Sequence, residues 1–95
     1  MISYNQKRFL IVDDFSDFRS SVKSMLGQMA AKHIDIAANG EEAIAQCRNC
    51  KYDIILHDYN LGEGKNGQQV LEELHQGGLI SPQCIFIMVT AESSQ

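Results

Sequence analysis

Three short apolar runs in this chain each end in a group that can do chemistry. Phe9-Leu10-Ile11-Val12 runs into Asp13-Asp14, Ile54-Ile55-Leu56-His57 into Asp58, and Ile85-Phe86-Ile87-Met88-Val89 into Thr90. If the runs are parallel strands, their ends meet along one edge of a single sheet, and that edge is where open α/β sheets place their ligand sites. This restricts the fold more than any other property of the sequence. Three carboxylates and a hydroxyl on one edge point to a divalent cation and a phosphoryl group.

The stretches between the runs have helical periodicity. Short apolar runs alternating with such stretches argue for βα repeats and a parallel sheet with helices on both faces. The runs are almost continuously apolar and β-branched, as strands covered on both faces are. They predict strands over residues 9–12, 34–38, 54–57 and 85–89. A helix is expected from about residue 16 to 31, with Phe15, Phe18, Val22, Met25, Leu26 and Met29 as one buried stripe. A second is expected from about 40 to 50, capped by Asn39 with Glu42 in capping-box relation, and with Ala43, Ile44 and Cys47 toward the sheet. The third, from about 67 to 75, pairs Asn66 with Gln69 in the same way. Val70, Leu71 and Leu74 form its buried side, and Gly77-Gly78 stops it.

At 95 residues the chain has room for one domain and one core. With 44% apolar and 21% charged residues it reads as a folded, soluble protein. The net charge is −4 and the basic residues are scattered, which argues against nucleic acid as a partner of this segment. No stretch approaches the roughly 20 apolar residues of a membrane span. The polar start, followed by a short apolar run, does not resemble a signal peptide. Three cysteines fit reduced thiols better than a disulfide framework, so the sequence points to the cytoplasm.

Asp58 can act as a nucleophile toward phosphorus only if the charge of the incoming phosphoryl group is offset. A carboxylate attacking phosphorus forms an acyl phosphate. Magnesium suits this task, since it is held by one or two carboxylates and shares its other positions between water and phosphate oxygens. Asp13 and Asp14 would supply ligands, joined by Asp58 itself. Thr90 could donate its hydroxyl to a phosphoryl oxygen, and Ala91 beside it leaves the approach open. Asp and Asn are also ordinary turn residues, so each position alone says little. Their register with the strands carries the reading.

The segments Leu10-Ile11-Val12-Asp13-Asp14, Ile55-Leu56-His57-Asp58-Tyr59-Asn60-Leu61 and Met88-Val89-Thr90-Ala91-Glu92 resemble the receiver domain of two-component response regulators, in order and spacing over nearly the whole chain. The resemblance is to the chemotaxis-regulator-like receivers. It implies a doubly wound, flavodoxin-like α/β fold with strand order 2-1-3-4. It also implies that Asp58 accepts a phosphoryl group from a sensor histidine kinase or phosphotransfer protein. Asp13, Asp14, Asp58 and the backbone carbonyl of Asn60 would hold Mg2+, and Thr90 would be the switch hydroxyl. Asn60 and Glu92 would occupy the two variable positions that tune dephosphorylation.

The chain departs from the family in three places. Gly62 stands where many receivers have proline, and the loop to Gly67 is one residue longer than in the chemotaxis regulators. After Thr90-Ala91 the family has a further helix, a fifth strand with a lysine at its end, and a final helix, whereas this sequence reaches Gln95. The expectation is therefore a receiver truncated after the fourth strand, with the edge of residues 85–89 open and apolar surface beside the first helix uncovered. Such a chain should pair with a second copy as a homodimer or swapped oligomer. The missing lysine leaves a switch-incompetent, receiver-like binding fragment as an alternative. A magnesium-dependent phosphohydrolase is weaker still: in the haloacid-dehalogenase-like class the first strand ends in D-x-D, and here that place reads Asp13-Asp14-Phe15.

Other features read as structural. Cys47-Arg48-Asn49-Cys50 closes a helix, whereas redox C-x-x-C motifs open one. Cys84 reads as a small hydrophobe. His57 adjoins Asp58, but successive strand residues face opposite sides, so it should point away from the nucleophile and under a helix. His33 and His75 are placed at helix ends without chemistry.

Overall fold

The computed structural model describes residues 6–14, 16–58 and 64–89. Within them the elements run β1 (Arg8–Val12), α1 (Ser16–Gln28), β2 (His33–Ala37), α2 (Gly40–Asn49), β3 (Ile54–Asp58), α3 (Gly67–Gln76) and β4 (Ile85–Val89). All strand pairs are parallel and the sheet order is β2-β1-β3-β4. Each expected strand is present to within a residue at either end. His33 opens β2 and does not lie at a helix end, whereas His75 lies in the last turn of α3. None of the helices among the described residues is long and apolar enough to cross a membrane.

Strand alternation divides the core in two. Leu10 and Val12 point to one face, where Ala37 and Ile55 meet Ala43, Ile44 and Cys47 of α2 and Val70 and Leu74 of α3. Phe9 and Ile11 point to the other, against Val22 and Leu26 of α1. Each large side chain buried in this way contributes roughly 1.5–3 kcal/mol. Alternation thus seats helices on both faces, while the strand ends carry Asp13 and Asp58 to the edge of the sheet. On the α1 face, Ile85 and Ile87 of β4 remain exposed.

The cap chemistry holds, with one change. Asn66 accepts from the Gln69 N–H and the Gln69 side chain accepts from the Asn66 N–H, both at 2.9 Å, a complete capping box. Asn39 likewise accepts from the Glu42 N–H at 2.9 Å. The Glu42 carboxylate, however, reaches one residue further back and accepts from the Ala38 N–H at 2.8 Å. The N-terminus of α2 also lies close against α3. A Cβ on Gly40 would stand 2.7 Å from Cγ2 of Val70, so this position has no room for a side chain.

Helix α1 is shorter than its periodicity suggests. It ends at Gln28, and Met25 and Met29 are 55% and 44% exposed, so the buried stripe narrows to Val22 and Leu26 with Phe18 partly covered. Phe15 lies outside the described residues. The Ala31 N–H donates to the Leu26 carbonyl and the Ala30 N–H to the Gly27 carbonyl, each at 3.1 Å, and Ala30 has φ 70°. This is a Schellman ending, with Ala31 packed back into the Leu26 cluster. Helix α3 ends the same way, by Leu79 to Leu74 at 2.9 Å and Gly78 to His75 at 3.2 Å, but there the left-handed residue is Gly78, φ 65°.

Candidate functional site

The edge at the carboxyl ends of the strands carries the acidic cluster. The Asp13 N–H donates to the Ala37 carbonyl at 3.1 Å, which extends the β1–β2 ladder by one rung and fixes Asp13 just past the end of β1. Asp58 is the last residue of β3 and pairs in register with Val89. One carboxylate oxygen from each of Asp13, Asp14 and Asp58 lies within 4.8 Å of the others, with Asp13 and Asp58 buried and Asp14 exposed. Like charges at about 4 Å repel by roughly 1 kcal/mol in bulk water and about 4 kcal/mol at an effective dielectric of 20. A hard divalent cation removes that repulsion. Three hard oxygen donors, two fixed in the fold and one facing solvent, match magnesium, which keeps several of its waters. Of the residues expected at this site, Asp13, Asp14 and Asp58 come together, while Asn60, Thr90 and Ala91 lie outside the described residues, as does Glu92.

Two further side chains shape this edge. Arg19 of α1 donates Nη1–H to the Asp13 carbonyl at 2.6 Å and ties the helix to the end of β1. Sequence reading missed Arg19, because its link to Asp13 becomes visible only when α1 docks. His57 is fully buried and, as expected, faces the α2/α3 side, two residues on from Ile55. Its Nδ1 lies 2.7 Å from the Asp58 carbonyl, and its ring stacks on Phe86 with centroids 5.6 Å apart and planes at 26°. Burial lowers the His57 pKa below the ordinary imidazole value, against opposing pulls from the Asp58 carbonyl and the Asp13 charge. Nε2 has no hydrogen-bond partner among the described residues.

The opposite edge has a different character. The Asp53 carboxylate accepts from the Arg8 N–H at 2.9 Å, and the Asp53 backbone bonds to Arg8 and Ile85, so one residue ties the starts of β1, β3 and β4. The buried Tyr52 hydroxyl donates to the Asp35 carboxylate on β2, and burial together with that carboxylate pushes the phenol pKa up. Cys47, Cys50 and Cys84 are free thiols. Burial raises Cys47 to about 11, which keeps it protonated and unreactive at neutral pH. Cys47 sits in the core between the sheet and helices α2 and α3, and Cys50 packs partly buried against it at the end of α2.

Residues 9–95 match the family described as the response regulator receiver domain. Among similar proteins, the transcriptional regulatory protein CiaR of Streptococcus pneumoniae is 36% identical over 86 residues, covering 90% of this chain and 36% of CiaR. The chemotaxis protein CheY of Thermotoga maritima is 30% identical over 89 residues, covering 94% of this chain and 71% of CheY. The chain spans about a third of the length of the first two curated relatives. The crystal structure of the response regulator TrrA from Thermotoga maritima in complex with Mg(2+)-BeF superposes with a TM-score of 0.78 at 31% identity, covering 93% of this chain and 72% of TrrA. A CheY-like receiver domain protein from Methanospirillum hungatei gives a TM-score of 0.79 at 33% identity over 93% of this chain and 66% of its own. Sheet order, acidic edge and these likenesses agree, and the chain belongs to the response regulator receiver domain family of two-component systems.

Proposed function

We propose that this receiver domain relays a signal by taking a phosphoryl group onto the Asp58 carboxylate. The observation that carries the reading is the convergence of Asp13, Asp14 and Asp58 within 4.8 Å at the edge of the sheet. The donor is a phosphorylated imidazole of a histidine kinase or phosphotransfer protein. An Asp58 carboxylate oxygen attacks phosphorus, the P–N bond breaks, and its electron pair returns to the imidazole, which takes up a proton. Asp13, Asp14, Asp58 and the Asn60 carbonyl would hold Mg2+, which would supply positive charge to offset that of the carboxylates and the incoming phosphoryl group. The Thr90 hydroxyl is the group that meets the new phosphate, with Ala91 leaving it room. The output is a change of conformation in a cytoplasmic signalling module.

The test is incubation with acetyl phosphate and magnesium. One phosphoryl group per chain should be gained, and chelation of the metal or Asp58→Asn should abolish the gain. Turnover of many donor molecules per chain, with no covalent product at any time point, would favour the phosphohydrolase reading instead.

A further inference from the structure

Resting on that reading, we propose that His57 is a positioning residue for the phosphoacceptor, holding the peptide that carries Asp58 through an Nδ1–H bond to the Asp58 carbonyl. A carbonyl oxygen only accepts, so at 2.7 Å the proton must reside on Nδ1. That leaves Nε2 as a buried nitrogen with no partner among the described residues. A leucine or methionine would fill an interior strand position without an orphaned polar atom, so the histidine has a cost that its packing alone does not repay.

Its position suggests the return. The ring is held by full burial and by the stack on Phe86 of the neighbouring strand, so the donor itself is fixed. The bond spans from one residue to the next, across the peptide plane on the carboxyl side of the nucleophile. The carbonyl direction there sets ψ of Asp58, and with it where the chain leaves the strand. On the far side Asp58 is in register with Val89 of β4. A nucleophile that must meet both a metal and phosphorus gains from a backbone locked in this way, because errors of about 1 Å in such geometry are costly to the rate.

The donor can be separated from the bulk of the side chain. His57→Leu and His57→Met remove both nitrogens, while His57→Asn retains an N–H donor near the Nδ1 place in a smaller, polar side chain. The apolar variants should melt at or above the wild type and His57→Asn below it. Affinity for magnesium with beryllofluoride, and the acetyl phosphate labelling rate, should rank in the opposite order. His57→Asn should stay near the wild type and the apolar variants fall about tenfold, the scale of one lost hydrogen bond. Nitrogen-15 NMR of the metal-free wild type should show the Nδ1–H tautomer.

Folded apolar variants that bind and label like the wild type would overturn the positioning role and leave the Asp58 reading standing, as would an Nε2–H tautomer. A wild type that neither binds beryllofluoride nor takes label would overturn the Asp58 reading itself, and the proposal with it.

Discussion

The two edges of this sheet both carry ionisable groups, but they use them in opposite ways. On the amino side, carboxylates meet donors: Asp53 takes the Arg8 N–H at the start of the strands, and Asp35, midway along β2, takes the hydroxyl of Tyr52. At the carboxyl edge, three carboxylates crowd within 4.8 Å of one another. One edge ties strands together and the other concentrates like charge where a cation and a phosphoryl group can use it. The difference separates the polar residues that hold the fold from those proposed to do chemistry, and it can be tested at both edges.

The largest effect should come from the crowded edge. Asp13→Ala or Asp14→Ala should weaken magnesium binding by at least the about 10–100-fold that losing even a supporting partner costs a metal site. Asp17→Ala, on the exposed side of α1, should leave it unchanged, and titration calorimetry reads all three. In metal-free protein Asp14→Ala should melt no lower than the wild type, because it relieves repulsion. Lower stability would mean that the cluster is structural.

The next effect belongs to the amino edge and depends on pH. Cys47 is raised from 9.0 to about 11 in the folded chain. Below pH 9 both states hold the proton and stability is unaffected. Above it the unfolded chain loses the proton first, so stability falls as pH rises toward 11, by at most about 2–3 kcal/mol. Denaturant titrations from pH 8 to 11 should show this decline, and it should be shallower in Cys47→Ala. Tyr52→Phe, which deprives Asp35 of its donor, should cost about 1–2 kcal/mol at neutral pH. Magnesium affinity should not change in either variant, and a change would mean that the edges are coupled.

The smallest effect separates two helix ends of the same design. Ala30 adopts at the end of α1 the left-handed conformation that Gly78 supplies at the end of α3. Ala30→Gly should raise stability by about 0.5–1 kcal/mol, by relieving a side-chain clash of about 1–2 kcal/mol at some cost in chain entropy. Thermal melting would register it as a small upward shift, and a downward shift would show that the Ala30 methyl is worth more than the strain.

These residues also mark how far the sequence could be read. The strands and their acidic ends were legible because alternation and burial are written in single residues, and the caps because Asn66 and Gln69 have few other roles at that spacing. The exposure of Met25 and Met29 was not legible. Periodicity locates an apolar stripe, but how wide a strip of it the sheet covers is decided by tertiary packing. Ala30 carries no sign of a left-handed backbone, since the pull of Ala31 into the core imposes it. Arg19 and the Nδ1 bond of His57 depend on docking and ring orientation, which no local pattern encodes. The strand order itself came from family resemblance, and the four parallel strands bear it out.

The crowded edge is proposed as a phosphoacceptor site with Asp58 as its nucleophile. The most direct test is to locate the phosphoryl group after reaction with acetyl phosphate and magnesium. Acyl phosphates are reduced by borohydride, which converts a phosphorylated aspartate to homoserine, and peptide mass spectrometry then finds the position. Homoserine is expected at position 58 alone, dependent on magnesium. Phosphate retained on a serine or threonine, or homoserine at position 13 or 14, would contradict it.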